Sequence, residues 1–123
     1  FREEFRPFAP AILNEYTEKY FEIEQESPHM LINAKVRDEK AEEVSAAIHI
    51  DNTARVQTVK PENNMRFRKL LEAFYEETKC PVLLNTSFNV KGQPIVNSPD
   101  EAIDCYLGTN IDVLAIGDFI LEK

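Results

Sequence analysis

Residues 61–79 place Phe67, Leu70, Leu71 and Phe74 at helical spacing, between short apolar runs that read as strands. A second helix is signalled by Ser98-Pro99-Asp100-Glu101: an N-cap serine, proline at the first helical position, and a glutamate placed to complete a capping box. That helix carries Ile103, Tyr106 and Leu107 and stops at Gly108. Helices alternating with short strands limit the fold to α/β or α+β. At 123 residues and 43% hydrophobic, the chain has enough apolar side chains for one domain with its own core.

The other segments read less sharply. Pro7 and Pro10 bias the first ten residues toward extended backbone, and Pro10 fits the first position of a helix from Ala11 to about Phe21. Ile12, Leu13, Tyr16 and Tyr20 would share a face of it. Residues 30–36 read as a strand, and the charged run 38–43 as a solvated loop or surface turn. Residues 46–50 and 54–59, linked by Asp51-Asn52-Thr53, read as a hairpin. Residues 81–84 form a short buried strand. Residues 113–116 and 119–121 form a closing hairpin across Gly117-Asp118.

The strand at 81–84 runs directly into Asn85, Thr86, Ser87 and Asn89 before a turn at Lys91-Gly92. Small polar side chains at the carboxyl edge of a strand are where open sheets bind ligands. Hydroxyls donate to phosphate oxygens, and amides orient a carbonyl or a base. A Ser/Thr/Asn turn that satisfies its own backbone fits the same residues. Arginines on stiff backbone are the second signal. Arg2 and Arg6 are four apart beside Pro7, and Arg55 alternates with Ala54 and Val56, so it points away from their shared face. A guanidinium offers phosphate a bidentate fork, and surface ion pairing is the competing reading for each.

The net charge of −8 opposes a whole-surface nucleic-acid binder, and no apolar run approaches a membrane span. His29 and His49 have no metal-ligand spacing. Neither GxxxxGK[ST] nor GxGxxG occurs, and three glycines cannot build a glycine-rich phosphate loop. Asp51 and Asp104 could serve magnesium, although nothing distinguishes them from other carboxylates. Cys80 and Cys105 lack CxxC spacing and read as core residues in a reducing compartment.

Three ordered stretches, Arg2-Glu3-Glu4-Phe5-Arg6-Pro7-Phe8-Ala9-Pro10, His49-Ile50-Asp51-Asn52-Thr53-Ala54-Arg55-Val56-Gln57 and residues 81–94, together resemble the O-carbamoyltransferase family, and Gly117-Asp118-Phe119 fits as well. That family carbamoylates nodulation factors and antibiotics such as tobramycin and cephamycins. Its members are longer, with an amino-terminal Kae1-like domain holding a histidine-ligated iron and the acceptor site. The resemblance implies that residues 1–123 are a single carboxyl-terminal domain, part of a longer chain, with a YrdC-like fold: a twisted open mixed sheet with packed helices. Thr86-Ser87-Phe88-Asn89, then Gly92 and Pro94, is similar to the signature of threonylcarbamoyl-adenylate synthases, with Phe88 where those enzymes have a small residue.

The resemblance further implies that ATP, with Mg2+, and carbamoyl phosphate are joined into carbamoyl-adenylate with release of pyrophosphate. The Kae1-like domain of the same full-length chain then transfers the carbamoyl group to a hydroxyl. Arg55 and Ser87 fall on catalytic positions; Arg6, Asn85, Thr86 and Asn89 fall on nucleotide and carbamoyl positions. No metal site is implied within these residues. A family lysine precedes the first motif, and without it phosphate binding is expected to weaken. A cytoplasmic protein without membrane or nucleic-acid partners is expected. The other readings are a nucleotide- or RNA-binding YrdC-like module without catalysis of its own, and a domain that only docks on its neighbour.

Overall fold

Ala9–Leu13 is buried at every position and forms the first strand, β1, in the computed structural model, which describes residues 8–123. The helix expected from Ala11 does not begin there. The chain continues through a 3-10 turn at Asn14–Tyr16 into a single helical turn, α1 (Thr17–Tyr20), and the two-residue strand β2 (Phe21–Glu22). A run buried on both faces carries no periodicity, so a helix start at Pro10 and a central strand look alike in sequence. Pro10 in fact pairs with Leu84 inside the sheet, away from the edge positions proline usually takes. Ile12 and Leu13, expected on one helical face, enter two different hydrophobic clusters.

Three more strands follow: β3 (Ile32–Val36), β4 (Thr53–Val59) and β5 (Val82–Asn85). With β1 and β2 they form an open mixed sheet of order β2-β3-β4-β1-β5, in which β1 and β4 are parallel and the other pairs antiparallel. The hairpin expected from residues 46–59 is absent. Ser45–Ala47 is a 3-10 turn, Ile50 is 93% exposed, and β4 pairs instead with β3 and β1. Asp51 explains the change: its Oδ1 accepts from the Thr53 backbone N–H (3.1 Å) and hydroxyl (2.6 Å), which turns the chain just before β4. The strand expected at 81–84 lies one residue later and at the sheet edge, with Leu84 47% exposed.

Helix α2 (Met65–Thr78) starts where Asn64 Oδ1 accepts from the Phe67 N–H at 3.1 Å and ends at Lys79, in the left-handed region at φ 62°. Leu71 seats it on Leu13 and Val59. Full burial of one such leucine is worth about 2–3 kcal/mol. Arg68 is also buried, and its guanidinium holds both carboxylate oxygens of Glu15, Glu72 and the Val59 carbonyl. The opposite face of the sheet packs Ile12, Ala34, Val36, Ala54, Val56 and Val82 around Tyr20 and Phe21.

The described residues fall into two compact units, 8–86 and 87–123. In the second, α3 (Pro99–Leu107) is capped by Ser98, whose Oγ accepts from the Glu101 N–H at 3.1 Å. Glu101 closes the box one residue further out than expected, accepting from the Asn97 N–H at 2.8 Å. This helix packs on β6 (Val113–Ile116), which pairs with β7 (Phe119–Glu122) in a separate two-stranded sheet. Ala102, Tyr106 and Leu114 form the core of this unit. Gly117 at φ 56° makes the two-residue turn between β6 and β7.

Candidate functional site

Strand β4 separates two chemistries by its alternation. Ala54 and Val56 are fully buried on one face, and Arg55 and Gln57 stand on the other. Register places Asn33 of β3 opposite Arg55, and Lys35 opposite Thr53. On the other side, Gln57 neighbours Ala11 of β1, and Ala9 pairs with Asn85 of β5. Asn33, Arg55, Gln57 and Asn85 therefore share one face, whose far end is covered by α2 through Leu13, Val59 and Leu71. The short side chains of Ala9 and Ala11 let the flanking amides meet over β1: Asn85 Nδ2 donates to Gln57 Oε1 at 2.8 Å.

Arg55 is exposed, and among the described residues no carboxylate pairs with it. Its backbone is fixed twice, by pairing with Asn33 of β3 and by the turn before it. Asn52 sits at φ 66° with its Nδ2 donating to the Val36 carbonyl at 3.2 Å. The hydrogen bonds from Thr53 hold the Asp51 carboxyl below the usual range. The result is a prepositioned cation beside two half-buried amides, an arrangement suited to a phosphate with an adjoining polar group.

In the second unit, Ser87 is exposed. Asn89 Nδ2 donates to the carbonyls of Val90 (3.2 Å) and Gln93 (3.1 Å), so its amide N–H groups close their own loop. Gly92 at φ 84° makes that turn, and the Val96 N–H returns to the Phe88 carbonyl at 2.8 Å. A cleft of about 630 Å³ lies beside it, lined by Asn89, Gln93, Glu101, Asp104, Cys105 and Thr109 among others. Two carboxylates and no lysine or arginine are among the described residues lining it, which suits a polyphosphate poorly. The Cys105 thiol at its wall and the Cys80 thiol, packed against the first unit's core, are both free and half-buried.

Arg2 and Arg6 lie outside the described residues. Arg55, Asn85 and Thr86 belong to the first unit, and Ser87 and Asn89 to the second. Arg55 and Asn85, 30 positions apart, are brought to one sheet face; Thr86 follows directly and is exposed. Gln57, Asn33 and Lys35 were not legible as site residues. The alternation starting at Arg55 pointed to Gln57, but the partners of β4 had to be known before β3 and β5 could be placed beside it.

A family model described as the carbamoyltransferase C-terminus matches residues 1–123. Nodulation protein NolO of Bradyrhizobium diazoefficiens is 40% identical over 99% of this chain, which spans 23% of that protein. The 3'-hydroxymethylcephem-O-carbamoyltransferase of Streptomyces clavuligerus is 35% identical over 95% of the chain and 22% of its own length. An uncharacterized protein of Synechocystis sp. is 43% identical over the whole chain and 23% of its own length. The chain thus spans less than a quarter of each of these relatives. Its sequence, matched from end to end, belongs to the carbamoyltransferase C-terminal family.

Proposed function

We propose that this chain is the carboxyl-terminal domain of an O-carbamoyltransferase and that it binds ATP and carbamoyl phosphate to form carbamoyl-adenylate: water cleaves carbamoyl phosphate to carbamate and orthophosphate, and the carbamate oxygen then displaces pyrophosphate from the α-phosphorus of ATP. The carbamoyl group then passes to a hydroxyl acceptor on a neighbouring Kae1-like domain of the full-length protein. Family membership supports the reaction class. The observation that carries the site is Arg55, a guanidinium unpaired among the described residues, on a doubly paired strand beside the Gln57–Asn85 amides.

Joining a carbamoyl group to an α-phosphate requires two polyanions to approach and charge to be stabilised on the phosphorus oxygens in flight. A fixed fork of N–H donors supplies that without reorganising during the reaction. In this reading the Arg55 guanidinium holds the transferring phosphate, and Thr86 of the same unit lines the nucleotide side. Magnesium enters with ATP as part of the substrate.

The test is ATP–pyrophosphate exchange dependent on carbamoyl phosphate, in a full-length protein containing this chain. Arg55→Ala is expected to lower exchange about a hundredfold, roughly 3 kcal/mol of transition-state stabilisation, with an unchanged thermal midpoint. Wild-type exchange in that variant removes Arg55 from the site.

A further inference from the structure

We infer that the Gln57–Asn85 pair is the seat of the carbamoyl group and sets the preference for carbamoyl phosphate over acyl phosphates that lack the amine. This rests on the proposed function above and deepens it.

The geometry is unusual for two amides that merely satisfy each other. Gln57 and Asn85 stand on strands separated by β1 and meet through one hydrogen bond of 2.8 Å. That bond uses one donor of Asn85 and one lone pair of Gln57. Among the described residues no partner takes up Gln57 Nε2 or Asn85 Oδ1. Both residues are half-buried, and their unused amide atoms are open to an incoming group rather than sealed in the interior. The pair therefore offers one fixed N–H donor and one fixed carbonyl acceptor, locked relative to each other. A carbamoyl group presents the complement: a carbonyl that accepts and an NH2 that donates.

Position agrees with chemistry. Gln57 follows Arg55 by two residues on the same face, about 7 Å along the strand. A phosphate on the Arg55 guanidinium would place a carbamoyl carbon, one bridging oxygen away, toward Gln57. In that pose Gln57 Nε2 donates to the carbamoyl oxygen and Asn85 Oδ1 accepts from its NH2. Acetyl phosphate has the same charge and nearly the same shape but puts a methyl group against Asn85 Oδ1. A site built to hydrogen-bond an N–H rejects the analogue lacking it more strongly than a shape filter would.

The experiment measures carbamoyl phosphate, acetyl phosphate and inorganic phosphate binding by calorimetry to a full-length protein containing this chain, with thermal unfolding of every variant. Wild type is expected to prefer carbamoyl over acetyl phosphate by about tenfold to a hundredfold. In Gln57→Met and Asn85→Leu, both close to the native size, that ratio should fall to within about threefold, with inorganic phosphate affinity kept. A folded variant that retains the wild-type ratio overturns the assignment while leaving the proposed function standing. Equal loss of all three ligands from a folded variant also overturns it, by making the pair a structural support. If wild type binds none of the three, the proposed function fails and this assignment with it.

Discussion

Removing the guanidinium of Arg68 tests how the helix face is held to the sheet. Arg68 Nη1 donates to Glu15 Oε1 at 2.7 Å and to the Val59 carbonyl at 2.9 Å, Nη2 reaches Glu15 Oε2, and Nε reaches Glu72 at 3.1 Å. Its side chain is 8% exposed, whereas that of Glu15 is 53% exposed. The asymmetry decides the magnitude. In Arg68→Met the Glu15 carboxylate rehydrates, so the lost ion pair is worth only about 1 kcal/mol. The Val59 carbonyl stays buried without its donor, at about 1–3 kcal/mol. The lost Glu72 pair adds a few tenths, so about 3 kcal/mol is expected. Glu15→Gln leaves the carbonyl bonded and should cost about 1 kcal/mol or less. Glu15 also carries a pH signature, because the hydrogen bonds from Arg68 hold its carboxyl below the ordinary 4.5. A depressed folded pKa contributes stability that is full above the unfolded value and lost as pH falls through the folded one. Wild type and Glu15→Gln should therefore converge below pH 4.5, measured by urea unfolding with circular dichroism. Equal costs for Arg68→Met and Glu15→Gln would refute the buried-carbonyl argument.

Other outcomes follow from single contacts. Ser98→Ala removes the acceptor for the Glu101 N–H and should destabilise the second unit by about 1 kcal/mol, read as faster amide exchange in α3. Gly117→Ala forces a Cβ into the left-handed region at φ 56° and should cost about 1 kcal/mol in urea unfolding, although no atom would meet that Cβ within 4 Å. Arg55→Lys should recover only part of the exchange lost in Arg55→Ala, since a point charge lacks the fork; full recovery would mean that charge alone is used.

Legibility in the sequence followed the strength of local signals. The capping box at Ser98 and the spacing of Phe67 and Leu71 each name one structure, and both helices formed. The hairpin across Gly117-Asp118, a weaker signal, also formed. Buried runs were not legible: β1 is buried on both faces, so Pro10 passed for a helix start. The residues before Asp51 read as a strand because composition there is apolar, while a side-chain hydrogen bond to Thr53 turned the chain. At the site, the outward direction of Arg55 was legible from alternation with Ala54 and Val56, and the structure places it so. The meeting of Gln57 with Asn85 was not, because it depends on β1 lying between β4 and β5, a pairing of distant segments that no local pattern encodes.

The central claim is that this domain binds the two substrates of adenylate formation. Titration calorimetry of ATP with magnesium, and of carbamoyl phosphate, into a full-length protein containing this chain tests it most directly. Saturable binding of both is predicted, each weakened at least tenfold by Arg55→Ala without loss of fold. Absence of binding by wild type, or affinities that Arg55→Ala leaves unchanged, would contradict the account.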